Sequence, residues 1–102
     1  MSRIQALTEM LAQDPGNAFA RYGLAIEYSN SGQLDQAIEE FQRLLSAHPD
    51  YTAGYLMAAQ TLAKCNRQDD VVKMLREGIA TAQRKGDSHA QSEMQAMLDE
   101  IA

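Results

Sequence analysis

Cysteine occurs once in the 102 residues, at Cys65. No intrachain disulfide can form, and a reducing cytoplasmic setting is the simpler reading, with the thiol buried as a small apolar side chain on a helix. Histidine is almost as scarce, at His48 and His89 alone. There is no H-E-x-x-H, no Cys/His cluster at metal spacing and no glycine-rich phosphate loop, so neither a metal site nor a cofactor site is expected. No stretch approaches the roughly 18 consecutive apolar residues of a membrane span. Behind Arg3, the residues Gln5, Thr8, Glu9, Gln13 and Asp14 interrupt any secretory apolar core, so a soluble protein is expected, with no membrane partner. Basic residues are also in deficit. Nine Lys and Arg stand against 14 Asp and Glu, a formal net charge of −5 with a pI of about 4.8. That is the reverse of the footprint that neutralises phosphates, and nucleic acid is not expected as a partner.

Catalytic groupings are missing as well. Glu39-Glu40, Asp69-Asp70 and Asp99-Glu100 are adjacent on helical segments, so their side chains diverge and read as solvated faces. His48 falls at a helix end beside Pro49, where a charged imidazole favours the helix C-terminus. Met94 and Met97 read as core filler. No enzyme is expected. What is present is ordinary folding material, 45% hydrophobic and 23% charged, which predicts a single folded domain over residues 1–102 without disulfides or metal.

Helical periodicity fills the chain, and no strand signal interrupts it. Ile4, Leu7, Met10 and Leu11 form one apolar stripe over residues 2–14, with Ser2 and Gln5 spaced as a capping box and Asp14-Pro15-Gly16 as the stop. From the N-cap Asn17 the pattern resumes through Phe19, Tyr22, Leu24, Ala25, Ile26 and Tyr28, more apolar positions than one stripe needs. Gly32 is placed to close this helix in the left-handed conformation. The next runs from about Leu34 to Ala47 and carries Ala37, Ile38, Phe41, Leu44 and Leu45, with Glu39, Glu40, Gln42 and Arg43 toward water. Asp50 is expected to cap a helix with Tyr55, Leu56, Ala58, Ala59 and Leu62, ended by Asn66 in the role of Gly32. Val71, Val72, Leu75 and Ile79 predict a further helix to Gly86. Ala90, Met94, Met97, Leu98 and Ile101 predict the last.

Shifting the sequence against itself by 34 residues aligns Leu24 with Ala58, Ala25 with Ala59, Tyr28 with Leu62, Ile38 with Val72, Phe41 with Leu75 and Leu45 with Ile79. The reverse shift places Ile4 under Ile38, Leu7 under Phe41, Leu11 under Leu45 and Pro15 under Pro49. A helix-turn-helix unit of that period resembles the tetratricopeptide repeat, whose pattern is W-x-x-L-G-x-x-Y, A-x-x-x-F, then P. The first copy reads Arg21-x-x-Leu24-Ala25-x-x-Tyr28, Ala37-x-x-x-Phe41, Pro49, with Arg21 replacing the family's Trp. The second reads Tyr55-x-x-Ala58-Ala59-x-x-Leu62 and Val71-x-x-x-Leu75, with Gln83 where Pro would stand. Losing that proline predicts a helix that runs on, and a last helix docked in shifted register.

The resemblance implies an all-α, right-handed α-solenoid of six helices in antiparallel pairs: a half-repeat helix at 2–14, repeats at 17–50 and 51–85, and a capping helix at 87–101. Stacking is required because one pair cannot cover its own apolar face. The resemblance further implies that the first helix of each pair lines a concave groove that holds a peptide or helix of a partner protein. Phe19, Tyr22 and Ile26 in the first repeat, and Leu56, Met57, Gln60 and Lys64 in the second, are the candidate peptide-binding residues. Their apolar character disfavours a carboxylate-terminated peptide and favours an apolar or amphipathic segment. The alternative is a homodimer, or a scaffold for larger assembly, that buries the same surface.

Overall fold

The computed structural model describes residues 2–101. Six helices follow one another: α1 (Arg3–Gln13), α2 (Ala18–Asn30), α3 (Leu34–Ala47), α4 (Thr52–Lys64), α5 (Gln68–Lys85) and α6 (Ser88–Ile101). The described residues contain no strand, and none of their helices is long and apolar enough to cross a membrane.

Local chemistry sets the boundaries. Gln5 N–H donates to Ser2 Oγ at 3.1 Å while Ser2 N–H donates to Gln5 Oε1 at 3.0 Å, closing a capping box on α1. Asn17 Oδ1 accepts from Ala20 N–H at the start of α2, and Asp87 Oδ1 from Ala90 N–H at the start of α6, both at 3.0 Å. Gly32, Asn66 and Gly86 all have positive φ, at 79°, 58° and 71°. The next amide in each case, of Gln33, Arg67 or Asp87, donates back to Tyr28, Leu62 or Ala82. Three helices therefore end on one motif, which satisfies carbonyls the helix leaves unpaired.

Asp50 departs from its expected capping role. Tyr51 holds the N-cap position of α4 with no side-chain capping bond. Asp50 Oδ1 instead accepts from Arg84 Nη2 at 2.9 Å, and its carbonyl from Lys85 Nζ at 2.7 Å. The reason is the length of α5, 18 residues against 14 in α3, which brings its last turn back over the α3–α4 loop. This is the overrun that Gln83 in place of proline predicts.

Each odd-numbered helix packs on its neighbours in sequence, while α2 lies against α4 and α4 against α6. Phe41, Leu44, Leu75, Met94, Val71 and Thr61 are the largest side chains sealed from solvent. Helix starts at residues 18, 52 and 88 give spacings of 34 and then 36, so Met94 falls where Ala58 stands one unit earlier. The added bulk is matched across the seam. Gly78 stands 34 residues after Leu44, and a Cβ there would come within 2.5 Å of Met94 Sδ and 2.6 Å of Tyr55 Cβ. A large–small pair, Leu44 with Ala58, has become a small–large pair, Gly78 with Met94, which keeps the interior close-packed.

Three burial expectations need correction. Met10 lies 46% exposed, because Leu7 and Leu11, with half-buried Ile4, fill the seam to α2. Glu40, expected in water, is 8% exposed, since Arg21 and Arg43 neutralise it there. Val72 and Ile79 are only half-buried, with Gly78, Thr81 and Ala82 joining Val71 and Leu75 as the buried positions of α5.

Candidate binding surface

Because α2, α4 and α6 lie side by side, they share one face of the molecule, and the seven candidate residues sit on α2 and α4. Their surroundings differ. Phe19, in the first turn of α2, is 71% exposed. Tyr22 and Ile26, on the following turns, are half-buried and pack with Met57 against the cluster of Ala25, Phe41 and Ala58. Leu56 packs instead against the α4–α6 cluster around Tyr55, Leu62 and Met94. Gln60 and Lys64 are exposed further along α4. Of the three candidates on α2, Phe19 alone therefore stands clear of the stack, since the α2–α4 seam engages Tyr22 and Ile26.

Tyr51 joins the surface unforeseen. Its ring centroid lies 5.2 Å from that of Tyr22 with the planes tilted by 46°, a favourable aromatic separation. Burial pushes the Tyr22 phenol above its ordinary pKa of 10.0, and the neighbouring Tyr51 adds to the shift. Burial alone raises Tyr51. One signal was available: Tyr51 falls 34 residues after the N-cap Asn17, so an aromatic residue occupies a position whose counterpart is a polar cap.

At the other end of the seam the chemistry is polar. Thr61 Oγ1 lies 2.9 Å from the Met57 carbonyl and 3.1 Å from Ser29 Oγ, and Lys64 Nζ donates to Ser29 Oγ at 3.2 Å. One proton per hydroxyl satisfies the set if Thr61 donates to Met57, Ser29 donates to Thr61 and Lys64 donates to Ser29. Lys64 thus ties α4 to α2 through one of its three ammonium protons. The surface is an aromatic end made of Phe19, Tyr22 and Tyr51, a middle of Ile26 and Leu56, and a cationic end at Lys64.

Chemistry elsewhere is spare. His48 sits at the C-cap of α3, His89 pairs with Glu93 at 2.8 Å on the surface, and Cys65 is free and half-buried at the end of α4. Among the described residues no group of three or more His, Cys, Asp or Glu side chains gathers at metal-binding distance. A cleft of about 170 Å³ opens between α3 and α5, lined by none of the seven candidate residues.

Comparison with known proteins points one way. The tetratricopeptide repeat family profile matches residues 4–50 and again 30–98. A TPR repeat-containing protein of Pseudomonas aeruginosa is 31% identical over 98 residues, covering 96% of this chain and 93% of that protein. A tetratricopeptide repeat domain protein from Salinibacter ruber, solved in solution, superposes with a TM-score of 0.81 at 28% identity, over 86% of this chain and 89% of that one. A Bordetella parapertussis protein, also solved in solution, gives 0.86 at 26% identity over 99% and 88%.

Proposed function

Since this chain belongs to the tetratricopeptide repeat family, whose domains generally mediate protein–protein interaction, we propose that it is a non-catalytic module that binds an apolar or amphipathic segment of a partner protein across α2 and α4. The observation that carries this reading is Phe19. A large apolar ring left 71% in water contributes nothing to the stack, and it stands one turn from the Tyr22–Tyr51 pair. Large aromatic rings are over-represented in protein interfaces, and the phenols of Tyr22 and Tyr51 add polar tips beside this one. Half-buried Ile26 and Leu56 extend the apolar strip, and Met57 beneath it can reshape to an incoming side chain. A segment of helix with apolar residues three and four apart would follow such a strip, and an acidic residue near its end would meet Lys64.

The test compares the parent protein with Phe19→Ala and with Lys64→Ala in capture of partner proteins, alongside thermal melting. The reading expects Phe19→Ala to weaken capture at least about tenfold, a loss of roughly 1.4 kcal/mol, with an unchanged melting temperature. Capture that is indifferent to both substitutions would refute it. Sedimentation over a range of protein concentrations separates the homodimer reading: self-association abolished by Phe19→Ala would make a second copy of the chain the occupant of this surface.

A further inference from the structure

On the side of α3 and α5 the molecule carries a second feature, apart from the face of α2 and α4. No Cα of α3 comes within 8 Å of a Cα of α5, and between them lies the cleft of about 170 Å³. Its floor is apolar, made by Ile38 and Phe41 of α3 and by Ala58 and Leu62 of α4, each at most 7% exposed. Met74 of α5 forms one wall. The mouth is lined by long polar side chains, with Arg67 and Lys73 balanced by Asp70 and Glu77.

Ala58 presents the smallest side chain in the lining of the cleft. The residue 34 positions earlier is Leu24, which is buried against Leu7 and Leu11. Replacing leucine by alanine in a helical core leaves an apolar hole of roughly 150 Å³, large enough for a benzene molecule. The cleft here is of that size. It is too small for a helix and large enough for one ring.

We propose that the α3–α5 cleft is a binding site for a small, uncharged, single-ring aromatic molecule of the phenol class, with the ring on Phe41, Ala58 and Leu62 and its polar substituent among the side chains of the mouth. The equal numbers of cationic and anionic groups at the mouth give no preference for a charged ligand. A free molecule fits better than a side chain presented by a partner protein. A protein surface pressed over the mouth would strip water from Lys73 and Glu77, neither of which has a salt-bridge partner among the described residues, and desolvating unpaired charges is unfavourable. A small molecule leaves both in water. None of the seven residues assigned to protein binding lines the cleft, so this site stands or falls independently of the proposed function.

Titration of the ¹⁵N-labelled protein with phenol, followed by amide shifts, tests the site. The expected result is saturable shifts centred on Ile38, Phe41, Ala58 and Met74, weakened at least roughly tenfold in Ala58→Leu, which fills the space with added methyl and methylene groups. Shifts centred on Tyr22 and Leu56, shifts scattered without saturation, or an Ala58→Leu protein that binds as well as the parent would each overturn it. Should Ala58→Leu fail to fold, Ala58→Val is read by the same criterion. Xenon under pressure then probes the unmodified protein: methyl shifts at Ile38 and Leu62 are expected, and their absence would overturn the assignment.

Discussion

Arg21 and Glu40, 19 residues apart in sequence, meet at 2.6 Å between Nη1 and Oε1, with 19% and 10% of their side-chain surfaces exposed. Arg21 occupies the position where the tetratricopeptide pattern carries tryptophan. Its other nitrogen, Nη2, donates to the Pro15 carbonyl at 3.3 Å, so a planar cation links the α1–α2 loop, α2 and α3 where an apolar ring is usual. Glu40 also accepts from Arg43 at 2.7 Å, and Arg43 in turn pairs with Glu39.

Removing the cation should therefore be felt, though less than for an isolated buried pair. Arg21→Ala leaves Glu40 largely buried with Arg43 as its remaining partner, and the expected loss is about 2 kcal/mol, below the 3–5 typical when a buried charge loses its sole counterion. Urea denaturation measures it. Adding Glu40→Gln to the alanine variant should restore part of the loss, because a neutral amide costs less to keep buried than a carboxylate that has lost one of its two cations.

The two phenylalanines should behave oppositely. Phe41 is 1% exposed and Phe19 71%. Phe41→Ala is expected to lose roughly 3–5 kcal/mol, cavity included, whereas Phe19→Ala should stay within about 0.5 kcal/mol of the parent. Chemical denaturation of the pair settles both. A large loss at Phe19 would mean that its ring belongs to the core.

Gly78 should reject even a methyl group. In an exposed helix, glycine to alanine gains about 1 kcal/mol from propensity. At residue 78 the new Cβ would stand 2.5 Å from Met94 Sδ and 2.6 Å from Tyr55 Cβ. The thioether end of Met94 can move, but the Cβ of Tyr55 is tied to the backbone of α4. Gly78→Ala is expected to destabilise by about 1–3 kcal/mol through overpacking, seen as a lower melting temperature. Adding Met94→Ala should relieve part of the strain.

Alkaline conditions should loosen the α2–α4 seam. Burial raises the phenol pKa of Tyr22, and of Tyr51, above the ordinary 10.0. A raised folded-state pKa means that the unfolded chain releases these protons first. Their contribution to stability is thus complete below pH 10 and is lost as pH rises from there through the folded-state values. Tyr22→Phe should lessen the decline in stability above pH 10, measured by denaturation at stepped pH, and the phenolate absorbance that this variant loses should be absorbance that develops later than that of free tyrosine.

Much of this fold is legible in the sequence. The 34-residue period, the apolar spacing and the turn residues Gly32, Asn66 and Gly86 dictate the helices and their ends, because caps and left-handed turns depend on a few neighbouring residues. The missing proline at Gln83 foretold the longer α5 for the same local reason. Side-chain burial between helices was less legible. Whether Glu40 faces water depends on an arginine 19 residues away, and whether Asp50 caps α4 depends on where the end of α5 arrives 34 residues later. The division among the candidate binding residues was also hidden. Periodicity places Phe19, Tyr22 and Ile26 on one helix, but the approach of α4 and the position of Tyr51 leave only Phe19 free. Helix formation is local and repeats with the sequence; the fate of each side chain depends on neighbours brought together from distant parts of the chain.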